Sequence, residues 1–136
     1  MSILENADKF ELVSLDPTHM RIEGGDEPAP ANDFHGCDEL GRTTLSKADR
    51  RTVIDTVTTS MAAWDGMSST CILEPRHAIV ATRGGEVAEV LICFKCGDLM
   101  TIVADDKQFF HMWDGQEVLD KKLTAAGIKL APKPRS

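Results

Sequence analysis

Two stretches of the chain repeat apolar residues at the spacing of an amphipathic helix. The first begins at Ser46, and Asp49 completes a Ser-x-x-acid pattern that can cap the free amides of a first turn. Its apolar positions then follow at spacings of four, four and three, at Val53, Val57, Met61 and Trp64. The second stretch begins with a similar cap pattern at Asp114 and ends before a glycine. The sequence therefore predicts two helices, at about residues 46–64 and 115–126.

The region between these helices alternates as β-strands do. Segments 71–82 and 86–95 flank Gly84-Gly85, a dipeptide typical of a two-residue hairpin turn. The numbers of facing residues then sum to 169, and one face is almost wholly apolar, with Ile79 opposite Val90. A slip of one residue would mix the apolar and polar faces, so this register is predicted.

Further strands are expected on both sides of the hairpin. They lie at about residues 10–15, 34–45, 99–104 and 108–113. Runs of strands followed by single helices are typical of the α+β class. The prediction is an antiparallel sheet of four to six strands, with both helices packed on it.

The length of the chain favours one domain. A chain of 136 residues can bury a sufficient core by itself, so we expect a single α+β domain over residues 1–136. Residues 23–32, rich in Gly, Pro and acids, are predicted to form a surface loop. Residues 131–136 contain two prolines and are predicted to form a loose tail.

Charge and hydropathy narrow the class of partner. The net charge is −7, which argues against nucleic acid and anionic membrane surfaces, because both are bound by basic patches. The apolar runs are far shorter than a bilayer span. The first residues lack the basic-then-apolar pattern of a signal peptide, so a cytoplasmic protein is expected. A protein partner fits this charge, and both a monomer and a homodimer remain open.

Cysteines carry the candidate chemistry. In a regular strand, Cys93 and Cys96 would point to opposite faces at ~10 Å, whereas a disulfide needs Cα atoms within about 7 Å. Cys71 would lie diagonally across from Cys96 at ~7–8 Å, which makes Cys71 and Cys96 a candidate thiol pair. Cys93 would face Arg76, whose charge favours a thiolate, so Cys93 is a candidate reactive thiol. The competing interpretation is that these are small buried apolar residues.

A zinc site is a further candidate. Three thiols and one imidazole form a common tetrahedral ligand set, and Cys71, His77, Cys93 and Cys96 would supply it. An ideal hairpin keeps these residues apart, so the site would require a distorted one. The alternative for His77 is a structural histidine with a hydrogen-bond partner in the core.

Three motifs resemble those of a family of small uncharacterised bacterial proteins. They are F-H-G-x3-L-G from Phe34 to Gly41, C-x3-P-R-H from Cys71 to His77, and I-C-F-x-C from Ile92 to Cys96. The similarity spans roughly residues 34–131. It implies that Cys71, His77, Cys93 and Cys96 form one motif set and that Cys37 stands outside it. No activity is assigned to that family, so the resemblance implies no function.

The sequence therefore leaves two main functional hypotheses. The first is a non-enzymatic binding or regulatory protein of the inhibitor or immunity type, which fits the small size, the acidic charge and the lack of nucleotide-binding or hydrolase motifs. The alternative is a thiol-redox or zinc-binding protein that uses Cys71, Cys93 and Cys96. An enzyme with an unrecognised site is the least favoured.

Overall fold

The computed structural model describes residues 2–21, 28–62, 73–112 and 114–132. Within these ranges the chain forms three helices, α1 (Ser2–Glu5), α2 (Lys47–Ala62) and α3 (Gln116–Ala125). It also forms seven strands: β1 (Lys9–Asp16), β2 (Asp33–Phe34), β3 (Cys37–Thr44), β4 (His77–Arg83), β5 (Glu86–Cys93), β6 (Asp98–Val103) and β7 (Asp106–His111).

The strands form one antiparallel sheet in the order β2-β3-β1-β4-β5-β6-β7. In four of the paired strands, β2–β3, β4–β5, β5–β6 and β6–β7, the two partners also follow each other along the chain. Strand β1 lies between β3 and β4 in the sheet. Among the described strands, β2 and β7 therefore lie at the two edges of the sheet.

The central hairpin confirms the predicted register. Ile79 faces Val90 and His77 faces Ile92, as the turn at Gly84-Gly85 requires. Gly84 has φ +58, which a glycine adopts without strain. Lys95 and Glu74, which the same register places opposite each other, form an ion pair at 3.6 Å.

The two faces of the sheet carry separate apolar clusters. The helical face packs against α1, α2 and α3, and its buried residues include Phe10, Leu12, Val53, Ile79, Ile92, Leu99, Leu119 and Leu123. The second face carries Val13, Leu15, Phe34, Cys37, Ala78, Val80, Leu91, Met100 and Ile102. Each fully buried aliphatic side chain contributes about 1.5–3 kcal/mol. The helical face buries more apolar side chains than the second face, so it supplies the larger part of the stabilisation.

The α+β class is confirmed, and the predicted element count needs correction. The structure has seven strands and three helices in its described ranges, where the sequence predicted four to six strands and two helices. The additional helix, α1, is a single turn that is too short to show a helical period. The additional strand, β2, has two residues and is joined to β3 by a turn at His35-Gly36, both with positive φ.

The helix boundaries and caps are confirmed in part. α2 begins after Ser46, whose hydroxyl accepts the backbone N–H of Asp49 at 3.2 Å, as predicted. The cap predicted at Asp114 is wrong, because Gly115 is the cap residue of α3 and no side chain caps it. The backbone N–H of Asp114 instead donates to the hydroxyl of Ser60 at 2.7 Å, which ties the start of α3 to α2.

Some expectations fall partly outside the described ranges. Of the predicted loop 23–32, residues 28–32 are described and exposed. Of the predicted tail, residues 131 and 132 are described. None of the helices in the described ranges has the length and apolar character needed to cross a membrane. The single-domain organisation and the cytoplasmic location stay predictions.

Candidate functional site

The three described cysteines differ in state. Cys37 and Cys93 carry free, buried thiols. Cys96, which is 8% exposed, is disulfide-bonded. Its predicted partner, Cys71, lies outside the described residues, so the pairing of Cys71 with Cys96 stays a prediction.

The structure separates two members of the predicted zinc ligand set. His77 faces Ile92 on the helical face, whereas Cys93 follows the alternation of Leu91 onto the second face. In the described ranges, no group of three or more His, Cys, Asp or Glu side chains is arranged to hold a metal ion. The set that includes Cys71 reaches beyond those ranges and stays a prediction.

Cys93 and Arg76 lie next to the end of the β4–β5 ladder, which the structure pairs as far as His77 and Ile92. Cys93 is 1% exposed, so solvent does not reach its sulfur in this structure. Arg76 precedes the first residue of β4, and its Nη1 donates to the backbone carbonyl of Pro132. The reactive-thiol assignment for Cys93 remains a prediction, and burial does not favour it.

Cys37 occupies the first position after the β2–β3 turn. Burial raises the pKa of its thiol to about 11, so the thiol stays protonated at neutral pH. The turn requires glycine at position 36, because a Cβ there would lie 2.4 Å from the carbonyl oxygen of Arg21. The glycine of the F-H-G motif is thus explained by a tight backbone approach.

A buried histidine–carboxylate pair joins the sheet to α3. Nε2 of His77 lies 2.6 Å from Oδ1 of Asp120, and His77 is 2% exposed while the Asp120 side chain is 28% exposed. The ring of Phe94 packs edge-on against the imidazole, with centroids 5.2 Å apart. Nδ1 of His77 has no hydrogen-bond partner in the part of the chain that the structure describes. The tautomer with the proton on Nε2 is therefore favoured, because it donates to Asp120 and leaves only a lone pair unsatisfied.

A cavity of about 160 Å³ adjoins this pair. Its polar walls are formed by Ser14, Arg76, His77, Gln116 and Asp120, and its apolar walls by Leu130 and Ala131. Two side chains hold the segment 129–132 over the cavity. The hydroxyl of Ser14 donates to the carbonyl of Lys129 at 2.7 Å, and Arg76 donates to that of Pro132.

A wider groove of about 860 Å³ lies between α2 and the start of α3. It is lined by the carboxylates of Asp55, Asp114 and Glu117 and by threonines of α2. The hydroxyls of Thr52 and Thr56 donate to backbone carbonyls of their own helix. The groove is acidic, but these hydroxyls are already engaged within the helix.

The edge strand β7 presents an exposed aromatic side chain. Phe109 is 65% exposed and lies directly opposite Met100, so both side chains are on the second face. A cavity of about 240 Å³ on the same face is lined by Met100 together with Met20, Leu73, Pro75 and Leu91, and by the polar side chains of His35 and Lys107. Apolar and methionine-rich surfaces beside an exposed aromatic ring are typical of protein-binding sites.

Asp120 and Phe109 are not among the site residues that the sequence predicts. Asp120 is one of two acidic residues on the predicted second helix, and nothing local distinguishes it as the partner of a residue 43 positions earlier. Phe109 lies in a predicted strand, where an aromatic residue is ordinarily buried. Only the edge position of β7 leaves it exposed.

Comparisons with protein-family models, with curated proteins and with solved structures find no match to this chain. The resemblance to a family of small bacterial proteins therefore stays an expectation from the motifs alone.

Proposed function

We propose that this chain is a non-enzymatic binding protein that recognises an extended segment of a basic protein partner at β7. The observation that carries the proposal is Phe109, a large aromatic residue that is 65% exposed on an edge strand. Aromatic residues are enriched among the residues that dominate binding energy.

The backbone of β7 supports strand addition. The N–H of Met112 donates to the carbonyl of Gly97 at 3.1 Å, which continues the β6–β7 ladder by one pair. Hydrogen bonding alternates along an antiparallel strand, so Phe110 bonds toward β6 and Phe109 directs its N–H and C=O away from β6. An extended peptide can pair with these outward groups and add a strand to the sheet.

The second face offers a position for a side chain of that peptide. Residues of an added strand alternate between faces, so every second side chain would lie over the surface formed by Phe109 and Met100. The neighbouring cavity of about 240 Å³ is lined mostly by apolar side chains. A medium-sized apolar anchor fits both its volume and its chemistry.

Charge favours a basic partner. The chain carries a net charge of −7, which raises the association rate of basic proteins and lowers that of acidic ones. An added strand with alternating apolar and basic residues would place its apolar side chains on the second face. This composition distinguishes the proposed partner from a second copy of the acidic chain.

The experiment selects linear peptides from a phage-displayed random library on the immobilised full chain and measures their affinities by calorimetry. Selected peptides should alternate apolar with basic residues. Phe109→Ser should weaken their binding by roughly 10–100-fold, since burying a Phe side chain contributes about 1.5–3 kcal/mol. Val87→Ser is the matched control, because Val87 is also an exposed apolar residue, at 46%, and lies outside β7.

Two results would contradict the proposal. One is a set of peptides whose affinities Phe109→Ser and Val87→Ser change equally. The other is a chain that dimerises at micromolar concentration in light scattering and loses the dimer with Phe109→Ser, because a second copy would then be the occupant.

The disulfide at Cys96 favours a thiol-redox role as the second candidate function. Structural disulfides are rare in a reducing cytoplasm, so one in a cytoplasmic protein would be catalytic or redox-sensing. Titration of the denatured, unreduced chain should give two thiols if Cys71 is the partner, since Cys37 and Cys93 are free. Equilibration with glutathione buffers then decides the role. A midpoint of about −200 to −270 mV, the range of catalytic cytosolic dithiols, supports a redox function, and one below about −300 mV indicates a structural bond.

A further inference from the structure

We infer that the cavity between β4 and α3 binds a small zwitterion, of the class of the small neutral α-amino acids. The inference is independent of the binding surface at β7, which lies on the other face of the sheet. It rests on the size of the cavity, on its two opposite charges and on the state of the residues that line it.

The volume sets the size of the ligand. A cavity of about 160 Å³ is well below the range of drug-sized pockets. At ~30 Å³ per water molecule it holds about five waters, or a ligand of on the order of five to eight non-hydrogen atoms. Leu130 and Ala131 give one wall an apolar character, so a short, uncharged side chain fits there.

The cavity presents one cation and one anion that do not neutralise each other. Arg76 forms no ion pair within the described ranges, and a single backbone carbonyl accepts from its Nη1. The main cause of the lowered pKa of Asp16 is the side-chain hydrogen bond from Thr18. The charge of Arg76 also lowers that pKa, although Arg76 forms no ion pair with Asp16. Most of its five N–H donors therefore remain for a ligand carboxylate.

The anion is Asp120, and His77 positions it. One carboxylate oxygen receives the imidazole Nε2–H at 2.6 Å, and no described residue donates to the other oxygen. Gln116, one helical turn earlier on α3, adds an amide beside it. A ligand ammonium group can donate to both side chains.

Charge decides between the ligand classes. A ligand with only a carboxylate would be attracted by Arg76 and repelled by Asp120. A ligand with only an ammonium group would be attracted by Asp120 and repelled by Arg76. Only a molecule that carries both charges a few bonds apart can pair with Arg76 and with Asp120 in so small a cavity. The segment 129–132, held by Ser14 and Arg76, supplies the apolar wall of this space through Leu130 and Ala131.

The experiment measures binding of L-alanine, L-serine and L-valine to the full chain by calorimetry and by ¹H–¹⁵N spectra. Millimolar binding is expected, with amide shifts at Ser14, His77 and Ala131. Propionate and ethylamine, which each carry one of the two charges, should bind at least ~10-fold more weakly.

Two variants and two controls locate the site. Arg76→Gln and Asp120→Asn should each weaken binding about tenfold or more, the loss expected for one charged hydrogen bond. Asp120→Asn keeps an oxygen that can accept from His77, so the fold is expected to persist. Arg83→Gln and Asp106→Asn remove charges at exposed hairpin positions and should leave binding within about twofold.

Three results would overturn the inference. The first is the absence of binding of all three amino acids at millimolar concentration. The second is propionate or ethylamine binding as tightly as alanine. The third is amino-acid binding that the cavity variants, shown by their melting curves to be folded, leave unchanged.

Discussion

The pair formed by His77 and Asp120 makes a prediction about stability that can be worked from its burial. Replacing Asp120 by Ala leaves an imidazole that is 2% exposed and has no partner at either nitrogen among the described residues. An unsatisfied buried polar group costs about 1–3 kcal/mol, so Asp120→Ala should lower the free energy of unfolding by that amount.

His77→Phe has a different consequence, because the group that it leaves behind is partly exposed. Water can solvate the Asp120 side chain, which is 28% exposed. The variant loses one charged hydrogen bond and gains an apolar ring beside Phe94, for a net loss of about 1–2 kcal/mol. In the double variant, no imidazole is left unsatisfied, so its loss should be close to that of His77→Phe alone.

The double-mutant cycle therefore predicts a coupling free energy of about 1–3 kcal/mol between positions 77 and 120, equal in size to the loss expected for Asp120→Ala alone. Urea unfolding of the four proteins at neutral pH, fitted with a common m-value, measures it. Asp55→Ala on α2 is the control, because its ion pair with Arg51 is exposed and should change stability by less than ~0.5 kcal/mol. Losses at 77 and 120 that add within ~0.5 kcal/mol would refute the buried bond.

Three further predictions concern other positions. Gly36→Ala should cost at least ~2 kcal/mol in urea unfolding, since its Cβ would lie 2.4 Å from a backbone oxygen at φ +92, whereas a Cβ at Gly85 meets no atom of the described residues within 4 Å, so Gly85→Ala serves as control. At pH 8 the Cys37 thiol, with a pKa of about 11, should alkylate roughly 100-fold more slowly in the folded than in the unfolded chain, and equal rates would contradict its burial. Because this folded pKa lies above the unfolded value of 9.0, the associated stability is present below pH 9 and is lost as the pH rises toward 11. Ser60→Ala should cost about 0.5–1.5 kcal/mol in the same unfolding assay, because it removes the hydrogen bond that the Ser60 hydroxyl accepts from the backbone N–H of Asp114, and an unchanged midpoint would contradict that bond.

Local signals determined what the sequence could predict. Gly84-Gly85 and the alternation around it specify a two-residue hairpin, and the observed register follows directly. Ser46 and the apolar stripe after it define α2, because caps and helical periods act within a few residues. These features need no knowledge of distant contacts.

The features that matter most for function are long-range and were not predicted. β1 pairs with both β3 and β4, which places the Ser14 backbone beside His77 and completes one wall of the cavity. Asp120 reaches His77 only because α3 packs on the helical face of the sheet. Likewise, the exposure of Phe109 follows from the edge position of β7, which depends on the order of all seven described strands.

The position of the binding surface can be tested most directly by mapping amide chemical shifts of the full chain during titration with the tightest selected peptide. If a peptide strand adds at β7, the shifts should concentrate on β7, β6 and the second-face residues around Met100, and they should disappear in Phe109→Ser. Shifts confined to α2 and α3, or shifts that persist in Phe109→Ser, would place the binding surface elsewhere and contradict strand addition at β7.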